Sequence, residues 1–310
     1  MTVEQDALRK NFLEPEVRCE TYISAERKAA WKAILDILEA FIGICERHNL
    51  RWAIDAGSLL GAVRHKGIIP WDDDIDVDMP REDYDKIQDI LPVELPDYYF
   101  MQSSRTDPEY PITHLKIRDS RTTGIDPYHA GRKMRFNMGI FMDIFPVDGC
   151  PDDPKVQRAI EAKELRLRKI RRNAYVHICK TPWDWMKHIY GWTFFKLIGN
   201  ERIYRMREDL FRKHSLQSCK MCTTAPSQLG YRPRATWPTE CFASYVDLPF
   251  EYLTVKAPVG YLKILETTYG DWHKFVKDDH QHNGLILDAT RCYKDVLIEQ
   301  FGYSRKAFRR

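Results

Sequence analysis

Between Ser24 and Leu50 apolar residues recur at Trp31, Ile34, Leu35, Leu38, Ile42 and Cys45, the three-to-four spacing that turns one helix face toward a core. Ser24 stands where its hydroxyl can cap the first turn of that helix. Residues 51–56 then read as a strand and residues 59–65 as a short helix. Residues 74–78 alternate Asp, Ile, Asp, Val, Asp, so on a strand the acids share one face while Ile75 and Val77 pack on the other. A second helix is expected from Arg81 to about Leu91, ended by Pro92. Residues 98–102, 113–118 and 138–146 carry strand patterns, and strands alternating with helices predict an α/β core.

The pattern changes at Pro151-Asp-Asp-Pro154, a turn cluster. Beyond it, residues 155–213 hold 16 Lys and Arg against six Asp and Glu, an excess of ten positive charges in a chain whose formal net charge is +3. Trp183, Trp185, Tyr190, Trp192, Phe194 and Phe195 are interleaved with these charges. Prolines and polar residues return over 229–239, followed by a hairpin-like stretch at 242–255, a helix at 260–269 and a basic tail. The expected division is a catalytic core over 1–150, a basic, aromatic-rich helical lobe over 151–235, and a C-terminal segment packing on the core over 236–310. The lobe suits either an aromatic core with solvated charges or a surface that grips an anionic membrane or a polyphosphate-linked acceptor. No nucleic-acid-binding motif is present, and nucleic acid is not expected as a partner.

Asp72, Asp73, Asp74, Asp76 and Asp78 place five carboxylates within seven positions. Like charges at that density need a counter-charge, and a hard divalent ion with oxygen ligands, Mg²⁺ or Mn²⁺, supplies it while also binding substrate phosphate. Shortly before them, Gly57 and Ser58 open the short helix, where unbonded N–H groups and a hydroxyl offer an anion site. Asp143, between Met142 and Ile144 in a strand pattern, is costly to bury unless paired or metal-bound, the alternative being a salt bridge to an Arg such as Arg118 or Arg135. In a two-metal transfer Asp74 and Asp76 would bridge the ions, and Asp143 would complete the site and accept the hydroxyl proton. Asp72 and Asp73 read best as turn residues, and Asp148, beside Gly149, as another. Arg64, His65 and Lys66 either offset phosphate charge or face the carbonyls of their own helix end. Lys116 and Arg118 share one strand face, which either holds nucleotide phosphates or pairs with acidic side chains.

Two other metal-binding patterns fit less well. An EF-hand counted from Asp74 would need Gly and Glu where Met79 and Asp85 stand. A metal-dependent glycosyltransferase needs most of a nucleotide-binding βαβ half before its acids, and the first fifty residues are largely helical in pattern. Eight cysteines without a secretion signal are expected as reduced thiols. Cys219 and Cys222 form a CxxC with His214 nearby, although a structural zinc wants four ligands. With no basic leader followed by an apolar core, and no uncharged apolar run of membrane-spanning length, a cytoplasmic protein is expected, with peripheral contact at the inner membrane face.

The run from Asp55 to Val77, with Gly57-Ser58 and Asp74-Ile-Asp76, resembles the signature of the LicD-type phosphotransferases, which include bacterial phosphocholine transferases and are related to the fukutin group. Residues 79–84, 116–122, 142–148 and 258–272 extend the likeness, while the middle lobe is less similar. The resemblance implies a nucleotidyltransferase-like mixed sheet with flanking helices and, here, a basic helical insertion. It implies a divalent metal and transfer of a phosphocholine-like or phospho-alditol group from a CDP-activated donor to a hydroxyl of a cell-surface glycan precursor, releasing CMP. Asp74, Asp76 and Asp143 carry over as metal ligands and catalytic acids, and Gly57 and Ser58 as the phosphate-binding turn. Arg64, Lys66, Lys116 and Arg118 are the candidates for binding donor phosphate. The expected partners are the CDP-linked donor and a glycan or lipid-linked glycan acceptor. The alternatives are an NTP-dependent nucleotidyltransferase, a metal-dependent glycosyltransferase and a non-catalytic binding subunit.

Overall fold

The computed structural model describes residues 3–175, 178–224, 230–276 and 284–308. After helix α1 (Val3–Asn11) and a small hairpin of β1 (Glu16–Arg18) and β2 (Thr21–Ile23), the chain enters α2 (Ala25–Arg47). The expected cap is present, with the Arg27 N–H donating to Ser24 Oγ at 3.3 Å. The predicted stripe faces the main core, with Trp31, Ile34, Leu35, Leu38 and Cys45 buried in it and Ile42 partly buried against it.

Next come β3 (Ala53–Ile54), α3 (Ala56–His65), β4 (Asp76–Pro80) and α4 (Arg81–Glu94). Here α4 runs through Pro92 instead of stopping before it. At two residues from the helix end, the proline removes one backbone bond without breaking an interior turn. The chain continues through β5 (Tyr99–Gln102), β6 (Leu115–Asp119), β7 (Thr123–Ile125), the short α5 (Pro127–Gly131) and the long β8 (Ile140–Cys150). Helices α6 (Pro154–Ala174), α7 (Pro182–Ile198) and α8 (Asn200–Phe211) lead to β9 (Met221–Thr223) and β10 (Trp237–Pro238). The last elements are the hairpin β11 (Tyr245–Phe250) and β12 (Leu253–Pro258), then α9 (Tyr261–Tyr269), β13 (Ile286–Asp288) and α10 (Tyr293–Phe301).

The fold is mixed α/β, and β8 organises its main sheet. It runs parallel to β4 on one side; on the other it pairs antiparallel with β6 over residues 140–144 and with β9 over residues 148–150. Pro146 lies between these two partners. The Asp143 N–H points to β4, donating to Ile75 O at 2.9 Å, so by alternation the nitrogen of Pro146 faces the gap and the strand passes through it without losing a ladder bond. This is why β8 extends four residues past its expected end at Pro146. The C-terminal stretch read as a basic tail is structured instead: β13 pairs with β7, and α10 packs with α5 around Ile125, Met134, Phe136 and Leu297. The signals were short, since β7 and β13 have three residues each.

Helices α6, α7 and α8 share a separate small core of Ile160, Leu167, Ile170, Ile203 and Phe211. A buried ion cluster ties them to the sheet. Arg81, opening α4, donates to Asp148 of β8 through Nε at 2.7 Å and Nη2 at 2.6 Å, and its Nη1 reaches Glu208 of α8. Asp148 is therefore a buried strand residue rather than the expected turn residue. Residues 225–229, where the second composition boundary begins, lie outside the described residues. Among the described residues no helix is long and apolar enough to cross a membrane.

Candidate active site

Strand register decides what the acids meet. Asp76 of β4 lies directly across from Asp143 of β8, and Asp143 lies directly across from Lys116 of β6. Neighbouring strands are about 4.8 Å apart, so residues 67 and 27 positions apart in sequence become adjacent. Asp74, in the loop before β4, completes the group: one carboxylate oxygen from each of Asp74, Asp76 and Asp143 lies within 4.8 Å of the others. Asp72, Asp73 and Asp74 form an overlapping cluster by the same measure.

Gly57 and Ser58 sit in the first turn of α3, next to these acids. The Asp76 N–H donates to Ser58 Oγ at 2.9 Å, and the Asp55 N–H to Asp76 O at 2.9 Å, which fixes the start of β4 against the helix. A Cβ on Gly57 would stand 2.9 Å from Asp72 Oδ2, closer than real Cβ contacts come. A side chain there would have to push the Asp72 carboxylate away from the helix N-terminus. Asp72 does occupy a turn, its N–H bonded to Ile69 O at 2.8 Å, while its carbonyl accepts from Arg27 Nη2 and Trp31 Nε1, each at 3.0 Å.

Charge in this recess is unevenly compensated. Lys116 Nζ donates to Asp143 Oδ2 at 2.7 Å, and His114 Nε2 lies 3.1 Å from Asp143 Oδ1. Burial works to raise the Asp143 pKa, but Lys116 and His114 overcome it and hold the carboxyl well below its usual range. Asp76 is driven the other way: burial first, then repulsion from Asp74, Asp143, Asp55 and Asp72, raise its pKa well above the ordinary value. The same acids reach Tyr269 at the end of α9, whose phenol is pushed up by burial and by Asp55, Asp76, Asp72 and Asp74. An all-oxygen donor set, half-buried or deeper and short of positive charge, fits Mg²⁺ or Mn²⁺.

The salt-bridge partner of Asp143 is thus Lys116 rather than an arginine. Arg118 points from the same face of β6 but donates to Gln102 Oε1 at 2.5 Å and to Gly139 O at 2.7 Å, and both cations lie over the Phe141 ring. Arg64 and Lys66 are not brought to the acids. Each residue of a helix advances about 1.5 Å, so Arg64 stands roughly 10 Å along α3 from Gly57. Arg64 Nη1 instead donates to Trp272 O and Lys274 O, each at 3.1 Å, and Lys66 is exposed at the helix end. His114 escaped the sequence reading although the signal was present: it is two residues before Lys116, on the same strand face. Cys219 and Cys222 do not gather with His214 into a ligand set; the groups of three or more metal-ligating side chains among the described residues are all aspartates.

The sequence profile of the LicD/FKTN/FKRP nucleotidyltransferase domain matches residues 49–129, which span α3, Asp74, Asp76 and β6 and end in α5, before Asp143. The lipopolysaccharide cholinephosphotransferase LicD of Haemophilus influenzae is 32% identical over 263 residues, covering 82% of this chain and 94% of that protein. The chain belongs to the LicD family. It is accordingly an enzyme of the LicD phosphotransferase type. A shorter likeness joins it to the ribitol 5-phosphate transferase FKRP of mouse and human, 40% identical over 52 residues, which cover 17% of this chain and 10% of those proteins.

Proposed function

We propose that this LicD-family enzyme, built on a nucleotidyltransferase-like core, moves a phosphocholine-like group from a CDP-activated donor to a hydroxyl of a cell-surface glycan precursor and releases CMP. The observation that carries the reading is the convergence of Asp74, Asp76 and Asp143 beside the first turn of α3. Phosphocholine ranks ahead of a phospho-alditol because the choline-transferring relative aligns over 82% of the chain and the ribitol-transferring one over 17%.

Asp74, Asp76 and Asp143 would hold Mg²⁺ or Mn²⁺, which supplies charge neutralisation of donor phosphate and alignment of the attacking oxygen. The chain's own contribution is to hold those acids in place. Ser58 ties down the N–H that opens β4, and Lys116 with His114 keeps Asp143 a fixed anion. Asp143 is for that reason a poor proton acceptor, and the acceptor hydroxyl proton is assigned to water instead. The acceptor oxygen attacks the phosphorus that bears the alcohol, and the bond to CMP breaks in line.

CMP release from CDP-choline, CDP-ribitol and CDP-glycerol, with Mg²⁺ or with EDTA and with a glycan acceptor, tests the reading. Metal-dependent release from CDP-choline, lost in Asp74→Asn/Asp76→Asn, is the expected result. Pyrophosphate release from an NTP would replace it with nucleotidyl transfer, and sugar transfer from a nucleotide-sugar with glycosyl transfer. Metal-independent nucleotide binding without turnover would indicate a binding subunit.

A further inference from the structure

Helix α7 is apolar on both sides, but the protein buries only one of them. Its start is fixed by a capping box between Thr181 and Asp184. Along one side it packs on α6: a Cβ on Gly191 would fall 2.7 Å from Asn173 Cβ, and His188 Nδ1 lies 2.9 Å from Asn173 O. At 3.6 residues per turn, Asp184, His188, Gly191 and Phe195 define this inward arc. The opposite half of the helix carries Trp183, Trp185, Ile189, Tyr190, Trp192 and Leu197, which are 45–79% exposed. Aromatic side chains offer about 150–250 Å² each, so these four half-exposed rings alone present on the order of 400 Å², with Ile189, Leu197 and the exposed thioether of Met186 adding to it. A soluble monomer rarely leaves a larger apolar patch without a partner.

Charge selects the partner. Lys187 Nζ lies 5.5 Å from the centroid of the Trp183 ring and Lys196 Nζ 5.7 Å from that of Trp192, the arrangement in which a lysine stem covers apolar surface and its ammonium reaches a polar boundary. The adjoining helix α6 exposes Lys155, Arg158, Lys163, Arg166, Lys169 and Arg172. A second copy of this lobe would bring like charges together, whereas an anionic bilayer offers the opposite sign. Tryptophan and tyrosine are also the side chains that favour the headgroup boundary. At the start of α7 a cavity of about 510 Å³ is lined by Arg132, Arg172, Lys180 and Lys187 together with His129. His129 also lines the recess that reaches Lys116, the partner of Asp143.

We propose that α7 is an interfacial helix that seats the enzyme on an anionic bilayer, its Trp-rich face at the headgroup–acyl boundary and its basic cavity opening from the membrane side toward the carboxylate centre. The value of such docking, delivery of a lipid-linked acceptor, rests on the transferase reading; the docking itself does not. The test is flotation of the full chain with phosphatidylcholine vesicles, with and without 30% phosphatidylglycerol. The wild type is expected to bind the anionic vesicles at least tenfold better than the neutral ones. Trp185→Glu/Ile189→Glu should lose at least tenfold, with an unchanged circular dichroism spectrum and Tm. Val93→Glu, at an 82% exposed position on α4, should bind like wild type. No flotation of the wild type, or equal flotation of the double variant, overturns the proposal. So does a concentration-dependent dimer that the double variant abolishes while neither protein binds vesicles, since a second copy would then be the occupant. Flotation needs no donor, metal or turnover, so its outcome and that of the CMP assay fail independently.

Discussion

Asp76→Asn should make the metal-free protein more stable and the metal-loaded protein less stable than wild type. At the 4.8 Å limit on the oxygen separations, two unit charges in an effective dielectric of 20 repel by about 3.5 kcal/mol. Lys116 offsets the share due to Asp143, so the Asp74–Asp76 pair sets the scale. Part of Asp76 reaches solvent, and screening reduces the gain on neutralisation to about 2 kcal/mol. The pH dependence carries the same sign. A carboxyl whose pKa is raised on folding binds more protons folded than unfolded. Wild-type stability should therefore fall as pH rises from the unfolded value near 4 through the raised folded value, and the variant should lack this slope. Metal at a hundredfold excess over Kd stabilises the native state by about 2.7 kcal/mol, a gain the variant forgoes. Urea denaturation at pH 8 in EDTA and in excess Mn²⁺, repeated in EDTA at about pH 5 for the slope, reads all three quantities, and at pH 8 the two proteins should exchange rank between the conditions. A variant that is less stable in EDTA, or that gains as much from Mn²⁺, would refute the argument.

Further outcomes follow from the same contacts. Arg81→Met strands Asp148 and Glu208 in the interior and should cost about 3–5 kcal/mol in urea denaturation; a loss under 1 kcal/mol would mean the cluster does not hold the helical lobe to the sheet. Lys116→Met removes the cation that depresses Asp143, so the acid limb of kcat/KM should move to higher pH, whereas a purely structural lysine would change stability without moving that limb. His65 is lowered to about 4 by burial, then by Arg64 and Arg18. Its unfolded form takes up a proton that the native form refuses, so Tm should drop as pH falls from about 6.5 to 4, and His65→Gln should flatten that fall.

How much could be read without coordinates depended on the range of the interaction. Helix α2 and its Ser24 cap were legible because a helix face and its cap are set by residues three or four apart. The acidic run and the Gly-Ser turn were legible because their chemistry is contiguous. The assignment of Lys116 to Asp143 was not, since it depends on the register of β6 on β8, and a two-stranded register leaves no mark in either strand alone. Asp148 shows the same limit: beside Gly149 it reads as a turn, and only Arg81, 67 residues earlier, makes its burial affordable.

The sequence by itself determined the α/β class, the crowding of carboxylates in the Asp-rich loop and the family, because composition, alternation and a long contiguous motif are local properties. Tertiary structure alone decided which of the candidates meet. It joined Asp74 and Asp76 to Asp143, added His114, left Arg64 and Lys66 at the far end of α3, and turned the tryptophans of α7 outward. Each of those outcomes is set by strand register or by helix orientation, which arise from contacts between segments distant in the chain.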